Sequence, residues 1–509
     1  MEFSPYQEAF FKKIEESRSQ RVRAVLRAVP GSGKTTTLIE GSKRSQAEHK
    51  IFLAYSKSVV EDLKKKLPKN VEVRTVHSLG NSTLWKYLGK QSLEVDNKKY
   101  EKICREIIFK LTQSGKIEQD KSEYGNNGKI IRELENLTRY TRVTLADFRD
   151  AEMIKRMIGH FGLEIPNRDV LIPELPKVLE EGMRIAKEKR IIDNTDQIWL
   201  PSKRAWDLEI KQFQGIFVDE AQDLSEATIG LIEKISKEAS LICFAGDQKQ
   251  SIMAFSGARS NSLKEIVKRF QATEMLLPIC YRSSRAVIEE AKKFAPEMQA
   301  APGAIEGKVE DILMQDVADI ATSGDFITCR TITPLVKLCL QLISKGKRAV
   351  VVGENVEKFL IEIIQDLEKT KGFKIEKFSH HLETYKRQKM ASLFKQKLSN
   401  RVIDEYKDKL EAARECCNRL INDGAKTSGQ LKEKIKALFS DREAEIKLFT
   451  IHKIKGLEAQ RVIILGYDKL PLTWEGQKEW EEEQEENAEF VAISRAKEVL
   501  IRAKDKIAV

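Results

Sequence analysis

The sequence predicts an α/β fold with parallel sheets, spread over more than one domain, and three observations carry that expectation. An apolar run from Val22 to Leu26 feeds directly into Ala28-Val29-Pro30-Gly31-Ser32-Gly33-Lys34-Thr35-Thr36-Thr37, after which Thr36 to Lys43 read as the first turns of a helix. Strand, glycine loop and helix in that order are the context of a phosphate cradle. Further apolar runs recur downstream and end in polar clusters, the place where α/β sheets present ligands. Finally, 509 residues exceed what one compact core holds and suggest about three or four domains.

Within the cradle each residue type has a chemical reason. Gly31 and Gly33 let the backbone wrap so that N–H groups point at phosphate oxygens, with Pro30, Ser32 and Thr36 completing the loop. The helix start adds its positive dipole end. Lys34 is long enough to reach β- and γ-phosphates, and the Thr35 hydroxyl suits a Mg²⁺ ligand.

Upstream, Ser4-Pro5-Tyr6-Gln7 precedes an amphipathic helix with Phe10, Phe11 and Ile14 on one face. The Gln7 amide has the donor and acceptor needed to pair with adenine. After the cradle, Ile51 to Tyr55 read as a buried strand, and Ser56-Lys57-Ser58 open a helix to Lys66. Val71 to Val76 alternate as a strand ending at His77-Ser78, so that Tyr55, Ser56 and His77 are expected on functional loops. From about Asn81 to Trp206 the alternation gives way to charged, mainly helical sequence, which reads as an insertion between two strands. The sheet resumes at Gly215 to Val218 and meets Asp219-Glu220-Ala221-Gln222-Asp223. Asp219 there suits a metal contact and Glu220 a base for the attacking water. Leu241 to Ala245 form a further strand that leads to Gln250, placed to sense a γ-phosphate.

Past Arg282, Asp325 to Thr328, Arg348 to Val352, Ile446 to Phe449 and Arg461 to Leu465 read as strands, with a helix from about Pro334 to Ser344. The lysine-rich stretch from Phe373 to Ser440 has the charge periodicity of an exposed helical hairpin. The acidic run Glu481 to Glu486 reads as a solvated loop.

The net charge of +11 and pI near 9.0 make a polyanion a plausible partner. Seven scattered cysteines include no C-x-x-C pair and argue for reduced, buried thiols. No apolar run is long enough to cross a bilayer, and the first residues lack the pattern of a signal or transit peptide. A cytoplasmic protein without membrane partners is the expectation.

Taken in order, Gln7, the phosphate loop, Tyr55-Ser56-Lys57, Thr75-Val76-His77-Ser78, Asp219 to Asp223, Gly246 to Ala258, Cys280-Tyr281-Arg282-Ser283, Thr450 to Glu458 and Phe490 to Ala496 resemble the motif series of superfamily 1 helicases of the UvrD/Rep type. The series runs nearly from end to end. The resemblance implies two RecA-like P-loop domains with parallel sheets, each carrying a mainly helical insertion. The first would comprise residues 1–80 and 207–279 around an insertion at 81–206. The second would comprise 280–372 and 441–509 around a small lysine-rich insertion at 373–440.

Carried over position by position, it implies that Gln7 and Tyr281 hold adenine and that Glu458 touches the ribose. Lys34, Thr35 and Asp219 would hold phosphates and Mg²⁺, and Glu220 would be the base. Arg282 and Arg495 would be arginine fingers on the γ-phosphate of ATP. Tyr55, Ser56, Lys57, His77, Phe255, His452 and Lys455 would line a single-stranded DNA track. Met253 and Phe255 stand where a tyrosine and a tryptophan are usual, Cys280 replaces a common asparagine, and acids fill Gln484 to Glu489 where bases are frequent. These departures bear on stacking and unwinding and remove no ATPase group. The implied activity is an ATP-dependent DNA helicase or translocase moving 3′ to 5′ and acting at duplex junctions. The alternatives are a motor that displaces proteins or powers a partner such as a nuclease or replication or repair factor, and a nucleotide-controlled DNA-binding switch. RNA as the track remains open.

Overall fold

The computed structural model describes residues 2–54, 56–118, 127–163, 165, 167–202, 206, 208–252, 261–352, 354–395, 400–440 and 444–506. Contacts divide the chain into two units, one of residues 1–28 and 33–277 and one of residues 29–32 and 278–509.

In the first unit, β1 (Val22–Ala28), β2 (Lys50–Ala54), β3 (Val71–Thr75), β4 (Glu94–Val95), β5 (Ile191–Ile192), β6 (Gly215–Val218), β7 (Leu241–Gly246) and β8 (Thr273–Leu277) follow one another along the chain. Six of them form a parallel sheet in the order β3-β2-β6-β7-β1-β8. The period-2 pattern explains why both faces are covered. Ala24 and Leu26 face a core with Phe10, Phe11 and Leu38, whereas Val25 faces one with Ile229 and Ile232. Helix α1 (Pro5–Glu15) starts at a Ser4–Gln7 capping box and buries Phe10, Phe11 and Ile14. Helices α2 (Lys34–Arg44), α3 (Lys57–Lys66) and α4 (Val76–Tyr87) each follow a strand end.

Two local expectations change here. The strand from Val71 stops at Thr75, whose side chain accepts the Ser78 N–H and caps α4. His77 therefore lies in a first helical turn and not on a loop. Lys57 opens α3, with Ser56 as its cap, where the sequence places the start of that helix. A cap costs the helix only one hydroxyl, and Thr and Ser are also ordinary strand-end residues, so the periodicity alone favoured a longer strand.

The stretch between β3 and β6 is mainly helical, with the short parallel pair β4–β5. Helices α5 (Lys99–Gln113) and α6 (Gly128–Val143) and the helix Leu175–Glu188 enclose a core that includes Tyr100, Ile103, Leu134, Leu137 and Val178. A buried charge network ties these helices to the residues after β5. Arg142 Nη1 donates to Asp193 (2.8 Å) and Asp196 (3.0 Å), Lys99 Nζ to Asp196 (2.6 Å), and Tyr100 Oη to Asp196 (3.0 Å). The Arg142 guanidinium lies 3.7 Å from the Tyr100 ring centroid.

The second unit contains β9 (Ile279–Cys280), β10 (Gln299–Ala300), β11 (Lys308–Leu313), β12 (Phe326–Cys329), β13 (Ala349–Val351), β14 (Ile446–Thr450), β15 (Ala459–Leu465) and β16 (Ala496–Lys504). Six form a second parallel sheet, β11-β16-β15-β12-β14-β13. Strands β8, β11 and β16 escape sequence reading because they carry charges: β8 and β11 are sheet edges, and β16 mixes Lys497, Glu498 and Arg502 with its buried residues.

The lysine-rich stretch differs from an exposed hairpin. Helices Phe378–Lys395, Asn400–Asn422 and Ser428–Ser440 bury Phe378, Leu410, Cys416 and Leu431 in one core with Leu338 and Val351. Their lysines lie on the opposite faces and mask that stripe in composition. The acidic run is also not a loop. It belongs to the helix Glu479–Ile493, and Glu485 is 4% exposed. Arg330, just after β12, donates to both Glu485 oxygens, from Nε (2.8 Å to one, 3.1 Å to the other) and from Nη2 (2.7 Å). A counter-charge so distant in sequence is invisible to a local reading.

All seven cysteines are buried and free. Among the described residues, no helix is long and apolar enough to cross a membrane.

Candidate nucleotide site and strand surface

The turn from β1 into α2 has the left-handed backbone that glycine supplies: φ is +69° at Gly31 and +77° at Gly33, the residue that caps α2. Lys34, Thr35 and Thr36 are its first helical turn, with free N–H groups at the dipole's positive end. Pro30 precedes the turn, and the Ser32 hydroxyl is buried without a hydrogen-bond partner among the described residues. The sheet register then sets the opposing residues. β6 lies two strands from β1, and its end projects Asp219 toward α2, where Thr35 Oγ1 donates to Asp219 Oδ2 at 2.5 Å. Lys34 Nζ sits 3.8 Å from Glu220 Oε2. Glu220 holds φ +54°, a left-handed conformation that a carboxylate residue adopts only under constraint.

Gln222 supplies part of that constraint. It is fully buried, donates from Nε2 to Glu220 and accepts the Asp247 N–H at its Oε1 (3.0 Å). Asp247 in turn accepts from Gln250 Nε2. One side chain thus links the ends of β6 and β7, a role that its place inside the acidic run Asp219 to Asp223 could have signalled. Burial, and then the charge of Glu220, push the Asp219 carboxyl up to about 6 against the pull of Lys34 and the Thr35 hydroxyl. Burial also raises Asp247. A desolvated carboxylate that accepts only from a hydroxyl and one backbone N–H, and shares space with a second carboxylate, is a group that a cation would stabilise. The donor set therefore fits Mg²⁺ held by Thr35 and Asp219, and the cradle with Lys34 fits a nucleoside triphosphate.

Gln7 is buried beside this loop. Its Nε2 donates to Thr37 Oγ1 (2.8 Å), and its Oε1 accepts the Ser4 N–H (2.9 Å). The amide retains one further N–H.

In the second unit, Tyr281 is 49% exposed, whereas Arg495 is 1% exposed. Arg495 donates to the Val491 carbonyl (3.0 Å) and to Ser494 Oγ (2.8 Å). Arg282 pairs through Nε with Glu458 and reaches the Ser494 carbonyl (3.3 Å). Lys497, which sequence reasoning did not single out, holds the other Glu458 oxygen at 2.8 Å. Burial opposes the charge on Glu458, but Lys497 and Arg282 outweigh it and keep the carboxyl below its usual range. Arg282, Glu458 and Arg495 thus come together around the start of β16.

The residues that the sequence reading assigns to a strand track fall into separate groups. Ser56, Lys57 and His77 lie at the first turns of α3 and α4, where desolvation lowers the His77 pKa. His452 lies in the short helix Ile451–Ile454 and Lys455 directly after it, both half-buried. Tyr55, Met253 and Phe255 lie outside the described residues.

A glycine cradle on the first strand of a six-stranded parallel sheet, with a carboxylate pair at the end of the strand two places away, defines a P-loop nucleotide-binding protein built on RecA-like sheets. Residues 12–271, more than half of the chain, match the UvrD/REP helicase N-terminal domain. The chain belongs to the UvrD/REP helicase family. It is 25% identical over 252 residues to F-box DNA helicase 1 of Gallus gallus, covering 48% of this chain and 23% of that protein. It is 29% identical over 94 residues to the ATP-dependent DNA helicase srs2 of Schizosaccharomyces pombe, covering 18% of this chain and 11% of the relative. The matched segments thus span under a quarter of each relative.

Proposed function

We propose that the chain is an ATP-dependent DNA helicase or translocase that moves along single-stranded DNA in the 3′ to 5′ direction. The observation that supports this reading most is the Thr35–Asp219 hydrogen bond beside the Lys34–Glu220 pair. It unites a phosphate cradle, a metal-ligand pair and a candidate base in one place.

In this reading Lys34 and the loop N–H groups bind the β- and γ-phosphates, and Gln7 and Tyr281 hold the adenine. Thr35 and Asp219 hold Mg²⁺, which when bound neutralises charge on the phosphate oxygens. Glu220 orients the attacking water and takes its proton, with Gln250 as γ-phosphate sensor. Arg282 and Arg495 place positive charge on the transferring group, and Glu458 meets the ribose. Phosphoryl transfer depends on such positioning and charge more than on covalent chemistry. Ser56, Lys57, His77, His452 and Lys455, with Tyr55 and Phe255, contact the strand.

ATPase rate measured without polymer, with single-stranded DNA and with single-stranded RNA, followed by unwinding of 3′- and 5′-tailed duplexes, tests this. DNA stimulation with 3′-tail unwinding is expected. An ATPase indifferent to nucleic acid would overturn the motor reading, and 5′-tail preference would overturn the polarity.

A further inference from the structure

Helix α4 does more than carry His77 at its start. Its inner face, Leu79, Gly80, Thr83 and Leu84, is buried. Its outer face presents His77, Asn81 and Trp85 at intervals of four, with Ser78 and Ser82 beside them. The stripe is polar except for its last member, and Trp85 is 42% exposed. A tryptophan is among the most costly residues to leave in water without a partner.

This stripe lines a groove of about 780 Å³ whose other members come from α3, β3, β4 and the segment after β5. Lys57 projects from the start of α3 and Arg74 from β3. Across from α4 stand Asn194 and Gln197, from the segment after β5. No Asp or Glu is among the described residues lining it, although the chain has 78 acidic residues.

The far wall is fixed. Asp193 and Asp196 are held by Arg142, Lys99 and Tyr100 in the buried network, and the Asp196 N–H donates to Asp193 Oδ1 at 2.6 Å. The Gln197 carbonyl lies so close to Gly80 that a Cβ there would be 1.7 Å from its oxygen. Gln197 Nε2 donates to Asn194 Oδ1 (3.3 Å), so two carboxamides stand together on that wall. On the near wall, Arg74 Nη1 donates to Ser82 Oγ at 2.8 Å. Such a wall needs no ordering when a ligand arrives.

We propose that this groove is a single-strand binding site, in which Trp85 stacks on a base. Lys57 and Arg74 take backbone phosphates, and Asn81, Asn194 and Gln197 meet sugar or base edges. The chemistry is that of sequence-tolerant recognition, cations along a backbone and an aromatic platform for the π-faces. From His77 to Trp85 is eight residues of helix, about 12 Å, which accommodates about three stacked nucleotides. The inference rests on the proposed strand-binding function and extends the track beyond Lys57 and His77 along the whole of α4.

The test is affinity of the full chain for fluorescent dT20 and rU20, with Trp85→Ala, Trp85→Phe and, as a control exposed elsewhere on the insertion, Phe109→Ala. Thermal melts and far-ultraviolet spectra establish that each variant is folded. Stacking of one base predicts a loss of roughly ten- to a hundredfold for Trp85→Ala on whichever polymer the wild type binds. Trp85→Phe should recover most of the affinity, and Phe109→Ala should match the wild type. Oligonucleotide should also quench tryptophan emission in the wild type and less in Trp85→Phe, a signature that a merely structural role would not give. Wild-type affinity in folded Trp85→Ala, or displacement of dT20 by an acidic peptide as readily as by oligonucleotide, would overturn the groove assignment. A wild type that binds neither polymer would instead overturn the underlying function.

Discussion

At the scale of single residues, Lys34, Thr35, Asp219 and Glu220 stand close enough for their separate contributions to be measured. Glu220 lies 3.8 Å from Lys34 and takes a further bond from Gln222, in a left-handed backbone conformation. Replacing it by Gln keeps the shape and the bond-forming capacity but removes the proposed base. Glu220→Gln should therefore lower the DNA-stimulated turnover by about 10²–10⁴-fold. Nucleotide affinity, read with a fluorescent ATP analogue, should remain within a few-fold. Lys34→Ala should act differently, because in the proposed reaction Lys34 meets the phosphates before and during transfer: both affinity and turnover should fall, the latter by about 10²–10³-fold. If Glu220→Gln weakened binding as much as Lys34→Ala does, Glu220 would be a binding group and not the base.

At the scale of elements, the packing of α4 on the segment Asp193–Gln197 decides a substitution whose sign propensity alone gets wrong. Alanine is about 1 kcal/mol better than glycine inside a helix. At Gly80, however, the added Cβ would lie 1.7 Å from the Gln197 carbonyl oxygen, and that carbonyl cannot move without pulling on Asp196, held by Lys99, Tyr100 and Arg142. Overpacking against fixed backbone should outweigh the propensity gain, so Gly80→Ala should destabilise the chain by about 1–3 kcal/mol and lower its melting temperature. A melt at or above the wild-type value would show that the contact is loose. The same contact illustrates what the sequence carries and what it hides. The cradle, α2 and β6 with Asp219 and Glu220 are legible because strand, loop and helix are adjacent in the chain. The groove along α4 is not, since Trp85 and Asn194 are joined only by tertiary packing, and a lone tryptophan reads as core. The burial of Glu485 and of the three helices from Phe378 to Ser440, whose helical character the sequence does show, is hidden for a related reason: the arginine and the apolar layer they pack against are supplied from distant segments.

At the scale of the whole molecule, two parallel sheets of six strands each contribute different chemistry to the proposed reaction. The first unit holds Gly33, Lys34, the candidate metal-ligand pair and the candidate base. The second holds Arg282, Glu458 and Arg495, which lie in the turns and helix ends that flank its own sheet. If hydrolysis needs positive charge from the second unit, the division has a kinetic consequence distinct from that of Glu220 or Lys34. Arg282 is partly exposed and bonded to Glu458, so removing it leaves no buried charge without its partner, because Lys497 still holds the carboxylate. Arg282→Ala should therefore melt close to wild type, whereas arginine fingers in phosphoryl transfer are worth about 10³–10⁵ in turnover. The expected result is a collapse of single-turnover hydrolysis with nucleotide and single-strand affinities each within a few-fold of wild type. Arg495→Ala is a poorer probe, since Arg495 is 1% exposed and its loss would also cost packing and hydrogen bonds. Hydrolysis by Arg282→Ala at the wild-type rate would confine the ATPase to the first unit's groups and make the second unit's part in movement one of strand grip alone.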